Sequence, residues 1–154
     1  MKISAQEEYG LRCLVQLARS PNGQVVTVRE IASKEALTPA YVEKLLRLLA
    51  RAGLVHSLRG LKGGYVLNRA PSQVTLGEVL RALGQMPTTN HICTQFTGTQ
   101  EECIHFSNCG IRSAWSGLTT YIHSFLDHTT LSSLLGDEYE VSDRIAKRLH
   151  DIVR

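Results

Sequence analysis

Three of the four cysteines in this 154-residue chain crowd into 17 residues: Cys93, Cys103 and Cys109, in the spacing C-x9-C-x5-C. Three clustered thiols leave at least one unpaired, and soft thiolates on a loop suit an iron–sulfur cluster or zinc. Reversible oxidation to disulfides is the third chemistry open to them. His91 and His105 each lie two residues from a cysteine and are available as a fourth ligand, as a structural zinc site would require. Cys13 stands alone in a helical apolar pattern and is expected to be a core residue.

Catalytic chemistry finds no such constellation. The sequence has no C-x-x-C pair, no Gly-rich phosphate loop and no defensible Ser/His/Asp arrangement, so an enzyme is not expected. No apolar run approaches the roughly 18 residues a membrane span needs, and the start MKISAQEEYG lacks the apolar stretch of a secretory signal. The expectation is a cytoplasmic protein without a membrane partner, in a compartment whose reducing poise disfavours structural disulfides.

A second kind of chemistry is carried by charge. The net charge of +3 conceals an asymmetry: residues 1–70 carry 11 Lys/Arg against 5 Asp/Glu, and residues 71–154 carry 6 against 9. A basic N-terminal part points to nucleic acid.

The elements that position these residues follow from caps and periodicity. Ser4-Ala5-Gln6-Glu7 and Thr27-Val28-Arg29-Glu30 are capping boxes opening helices over about 5–19 and 28–36. Thr38 followed by Pro39 starts a third helix that Gly53 stops, giving a helix-turn-helix. In that third helix Val42, Leu45, Leu46 and Leu49 form an apolar stripe, while Ala40, Lys44, Arg47 and Arg51 lie on the opposite face. Residues 54–58 and 65–67 read as a hairpin around Arg59-Gly60-Leu61-Lys62-Gly63-Gly64, a wing whose glycines let the backbone approach a partner closely. Ala40, Tyr41, Glu43 and Lys44 are expected at base edges in the major groove. Arg47, Arg59 and Lys62 are expected mainly at phosphates or in a minor groove.

A helix over about 74–83 follows, then a stretch from 84 to about 110 without helical or alternating pattern, which carries the three cysteines. Periodicity resumes at Ile111, Trp115, Leu118, Ile122, Phe125 and Leu126. This seam suits the same helix of a second chain, forming a two-fold dimer on a pseudo-palindromic double-stranded DNA operator. A short helix near 130–135 and a polar one over about 141–153 complete the chain. The expected fold is mainly α with a small β-hairpin wing: a winged helix-turn-helix domain over 1–70, a connecting helix and cysteine loop over 71–110, and a dimerisation helix with its tail over 111–154.

Together MKIS...EYGLRCLVQLA, VREIASKEALTPAYVEKLLRLLARAGLVHSLRG, LKGGYVL, TLGEVLRAL, the three cysteines, IRSAWSGL and TTLSSLL resemble the Rrf2 family of bacterial transcriptional regulators. The resemblance implies a dimeric DNA-binding regulator that senses iron, redox state or nitric oxide through an iron–sulfur cluster, 2Fe–2S or 4Fe–4S. It assigns Cys93, Cys103 and Cys109 as ligands. Some members take the fourth ligand from a His three residues after the last cysteine, where this chain has Arg112, which cannot ligate. Others take a carboxylate near the start of the first helix of the opposite subunit, and Glu8 matches it.

Overall fold

Each helix of the N-terminal half starts where a hydroxyl can close its first turn. The computed structural model describes residues 3–20, 23–60, 63–84, 86, 98–99 and 103–153. In it the Ser4 hydroxyl accepts from the Glu7 amide while the Glu7 carboxylate accepts from the Ser4 amide at 2.7 Å, opening α1 (Ala5–Ala18). Thr27 and Glu30 exchange the same pair of bonds at the start of α2 (Val28–Glu35). Thr38 caps α3 (Pro39–Arg51) by accepting from the Tyr41 amide. Between α2 and α3, Ala36 adopts a left-handed conformation at φ 53, which makes the short helix-turn-helix connection.

Gly53, at φ 72, turns the chain from α3 into β1 (Val55–Leu58), which pairs antiparallel with β2 (Gly64–Leu67) in the register Val55↔Leu67 to Leu58↔Gly64. A further bridge from Val26 to Tyr65 ties this wing to the segment entering α2.

The core is built from the apolar faces of α1, α2 and α3: Cys13, Leu14, Ile31, Val42, Leu45, Leu46 and Leu49 are fully buried. It also takes in Val74, Val79, Leu83 and, from far along the chain, Leu131. A 3-10 turn at Pro71–Gln73 leads to α4 (Leu76–Leu83), which begins on a third capping box, Thr75 with Glu78. The sequence reading did not identify that box. Burial pushes the Glu78 carboxyl up, but its hydrogen bonds to the Thr75 backbone and to Arg69 outweigh this and hold it below the usual carboxylate range.

A long helix, α5 (Gly110–His128), a 3-10 turn (Leu131–Leu134) and α6 (Glu138–Val153) follow, α6 starting three residues earlier than the periodicity predicts. The base of α5 is fastened to the winged part. Leu76 N–H donates to the Thr129 carbonyl and Leu131 N–H to that of Val74, both at 2.8 Å, and Arg81 pairs with Asp127 at 2.6 Å. At the other end of α4, the Gln6 side chain donates to the Leu83 carbonyl and the buried Glu7 lies against Gly84, so the start of α1 meets the end of α4. Among the described residues no helix is long and apolar enough to cross a membrane.

Candidate nucleic-acid interface and thiol site

The recognition surface is built by the division of α3 into two faces. With Val42, Leu45, Leu46 and Leu49 buried, Ala40, Lys44, Arg47 and Arg51 are left exposed on one side. Their surroundings distinguish them. Arg47 Nη2 pairs with Glu43 Oε1 at 2.6 Å, so part of its charge is already matched within the helix. Tyr41 is half-buried, its ring edge-on to Tyr9 with centroids 6.1 Å apart, and Lys44 Nζ sits 5.9 Å over that ring. Tyr41 thus packs on Tyr9 beneath Lys44, while Ala40 and Lys44 are exposed.

In the wing, Arg59 is exposed and Lys62 lies outside the described residues. Gly63 and Gly64 have an intramolecular reason the sequence reading missed. A Cβ on Gly63 would come within 2.7 Å of the Leu58 carbonyl oxygen, and one on Gly64 would overlap the carbonyl of Val26, which is bridged to the next residue, Tyr65. Their backbone is approached closely by this chain itself.

Two of the three clustered cysteines fall in the described residues; Cys93 and His91 lie outside them. Cys103 and Cys109 are free thiols, each half-buried, in a tight turn where Phe106 N–H donates to the Cys103 carbonyl at 2.9 Å and Asn108 N–H to that of His105 at 3.2 Å. Cys109 is the N-cap residue of α5, its side chain making no capping bond. Arg112, one turn into α5, reaches back: Nη2 donates to the Phe106 carbonyl at 2.6 Å and the guanidinium stacks 5.3 Å over the Phe106 ring. Its Nε is buried and has no acceptor among the described residues. His105 is exposed. Cys13, by contrast, is fully buried in α1, and burial followed by the charge of Glu35 pushes its thiol up to about 12.

Glu8 is half-buried on α1, accepts from Arg12 Nε at 2.8 Å, and borders a cavity of about 330 Å³ lined by apolar side chains, among them Leu11, Val79, Tyr121 and Phe125. Among the described residues of one chain, no three His, Cys, Asp or Glu side chains converge on a metal position, so Glu8 is not gathered with Cys103 and Cys109. The seam of α5 divides along its length. Ile111, Trp115 and Leu118 are 68%, 46% and 48% exposed, whereas Ile122 and Phe125 are half-buried and line the cavity. Leu126 departs from the expectation: at 7% exposed it is buried within its own chain, where α5 packs on α4.

With this geometry in view, the sequence profile of the Rrf2 family, described as an iron-dependent transcriptional regulator, matches residues 3–137. The chain belongs to the Rrf2 family. Among its relatives, the transcriptional regulator CymR of Bacillus subtilis is 32% identical over 87% of this chain and 89% of its own. The regulator IscR of Aliivibrio salmonicida is 30% identical over 94% of this chain and 84% of its own. A helix-turn-helix relative from Synechocystis sp. is 41% identical over 83 residues, which is 54% of this chain and 56% of that one. The structure of CymR, described as the global cysteine regulator of B. subtilis, superposes with a TM-score of 0.68 over 86% of this chain and 94% of that one. That of T. potens IscR does so with a TM-score of 0.67 at 26% identity, over 90% and 95%. These comparisons establish the mainly helical winged fold and a transcriptional regulator rather than an enzyme.

Proposed function

We propose that this Rrf2-family protein is a homodimeric regulator that binds a double-stranded, pseudo-palindromic operator and reports iron, redox state or nitric oxide through an iron–sulfur cluster. Residues 1–70 would form the DNA-binding domain, 71–110 the connecting helix and sensing loop, and 111–154 the dimer element. The observation that carries the cluster is the turn before α5: two free, half-buried thiols and, three residues after the second, a buried guanidinium N–H that lacks an acceptor among the described residues. Such a donor set fits a thiolate-ligated, anionic group, and the unpaired amides in the first turn of α5 favour negative charge there. Cys93, Cys103 and Cys109 would hold it, with Glu8 of the partner subunit as fourth ligand. When bound, the cluster supplies iron whose ligation changes with oxygen, nitric oxide or iron supply.

The chain's own residues then couple the loop to DNA. In sequence the loop lies between Gly84, which sits beside Glu7, and α5, whose base is hydrogen-bonded to the segment entering α4. Changed order in the loop would alter the spacing of the two winged domains along the operator. Ala40, Tyr41, Glu43 and Lys44 would meet base edges, and Arg47, Arg59 and Lys62 would meet phosphates.

A second reading is favoured by the likeness to CymR, a cysteine regulator. In it the exposed part of the same thiols responds by oxidation without a cluster. One experiment separates the two. Protein purified without oxygen is assayed for visible absorption, iron and zinc, as wild type and as Cys103→Ala. A brown protein whose iron and colour are lost in the variant supports the cluster sensor. A colourless protein with one zinc per chain, or with no metal and thiols that form disulfides on mild oxidation, overturns it.

A further inference from the structure

Arg112 is the one charged side chain in the described part of the cysteine turn that reaches across it, and its contacts are lopsided. Nη2 donates to the Phe106 carbonyl, midway in sequence between Cys103 and Cys109, and the guanidinium carbon lies 5.3 Å from the centroid of the Phe106 ring. The same side chain buries Nε without any acceptor among the described residues. A buried donor to which nothing is bonded costs free energy, so a native turn that keeps one is expected to meet its acceptor in a liganded state. Arg112 stands three residues after Cys109, the N-cap of α5, a position whose side chain can reach back to the face of the cap residue, as the Glu7 carboxylate does to Ser4. The acceptors chemically suited to that face are sulfurs: the Cys109 thiolate and the sulfides of a group bound to it.

We propose that Arg112 is a positioning residue of the sensing site. It clasps the turn through the Phe106 carbonyl so that Cys103 and Cys109 face one ligand, and it donates Nε–H to a sulfur of that ligand. The inference rests on the cluster reading above and goes beyond it, since it gives the non-ligating Arg112 a role that charge alone would not fill. The planar fork is what matters: it can hold a carbonyl with one nitrogen and a sulfur with another, which a Lys ammonium on a flexible stem cannot do in the same geometry. Hydrogen bonds to cluster sulfurs stabilise the reduced, more negative state and so raise the reduction potential.

The test uses the full chain, reconstituted without oxygen with iron and sulfide, as wild type, Arg112→Lys and Arg112→Ala. Iron retention against a chelator and the midpoint potential, followed by visible absorption, are read for each, with thermal unfolding of the metal-free forms as the control on folding. Both variants should hold iron roughly 10- to 100-fold less tightly and titrate at a lower potential, while the metal-free unfolding temperatures stay together. Rescue by Lys would overturn the proposal, because charge alone would then suffice, and so would equal retention and equal potential in all three. A wild type that takes up no iron overturns the cluster reading and this inference with it; a loaded wild type with indistinguishable variants overturns this inference alone.

Discussion

Cysteines that look equivalent as letters differ in what surrounds them. Cys13 is sealed in the core of α1 with its thiol pushed up to about 12 by burial, whereas Cys103 and Cys109 are half-buried in a surface turn. On unfolding, Cys13 returns to an ordinary value near 9.0. Its folded-state value is raised, so the folded state holds that proton more tightly. The stability this gives is fully present below pH 9 and lost as the pH climbs towards 12. The slope from this one group is at most about 1.4 kcal/mol per pH unit. In denaturant titrations between pH 8 and 11, Cys13→Ala is expected to show a shallower loss of stability with pH than wild type, even though the truncation lowers stability overall. Equal slopes would show that Cys13 ionises freely in the folded chain. The core role of Cys13 was legible in its helical spacing. The role of Gly63 and Gly64 was not, because the carbonyls they pack against belong to Leu58 and Val26, and which backbone approaches a glycine is not written in its neighbours.

The helix starts at Ser4, Thr27 and Thr38 were readable because a cap is a local event completed within four residues. The seam of α5 was only half readable, since periodicity finds an apolar stripe but not what covers each part of it. Leu126 and Leu131 are covered by the chain's own α4 region, by contacts spanning some 50 residues. That attachment joins α5 to the winged part, and its parts differ in weight. The Arg81–Asp127 pair has both side chains more than 40% exposed, and such pairs are worth about 0–1 kcal/mol. Leu131 is fully buried beside Val74, and truncating such a residue costs about 2–5 kcal/mol. Chemical denaturation should therefore find Asp127→Ala within about 1 kcal/mol of wild type and Leu131→Ala strongly destabilised. A large loss from Asp127→Ala would mean that the ion pair, not the apolar contact, fastens α5.

At the scale of the molecule, the exposed third of α5 is the feature one chain leaves unexplained. Ile111, Trp115 and Leu118 recur at helical spacing with about half or more of their surface in water, and none belongs to the core. A contiguous apolar stripe of this kind marks an interaction surface, and a two-fold pairing of α5 would carry a basic α3 and an Arg59-bearing wing on each side. The consequence for DNA is quantitative. A dimer bound to both half-sites contacts about twice as many phosphates as one chain, and each contact adds about 0.9 to the dependence of affinity on salt. Linking two half-site contacts in one particle also raises affinity by about 100-fold or more. Leu118→Glu is expected to sediment as a folded monomer with an unchanged unfolding temperature at low concentration. It should bind a two-half-site operator at least about 100-fold more weakly and with roughly half the wild-type salt slope. A variant that remains dimeric would place the interface elsewhere. A monomer that keeps the full slope would show that a single winged domain already makes every phosphate contact.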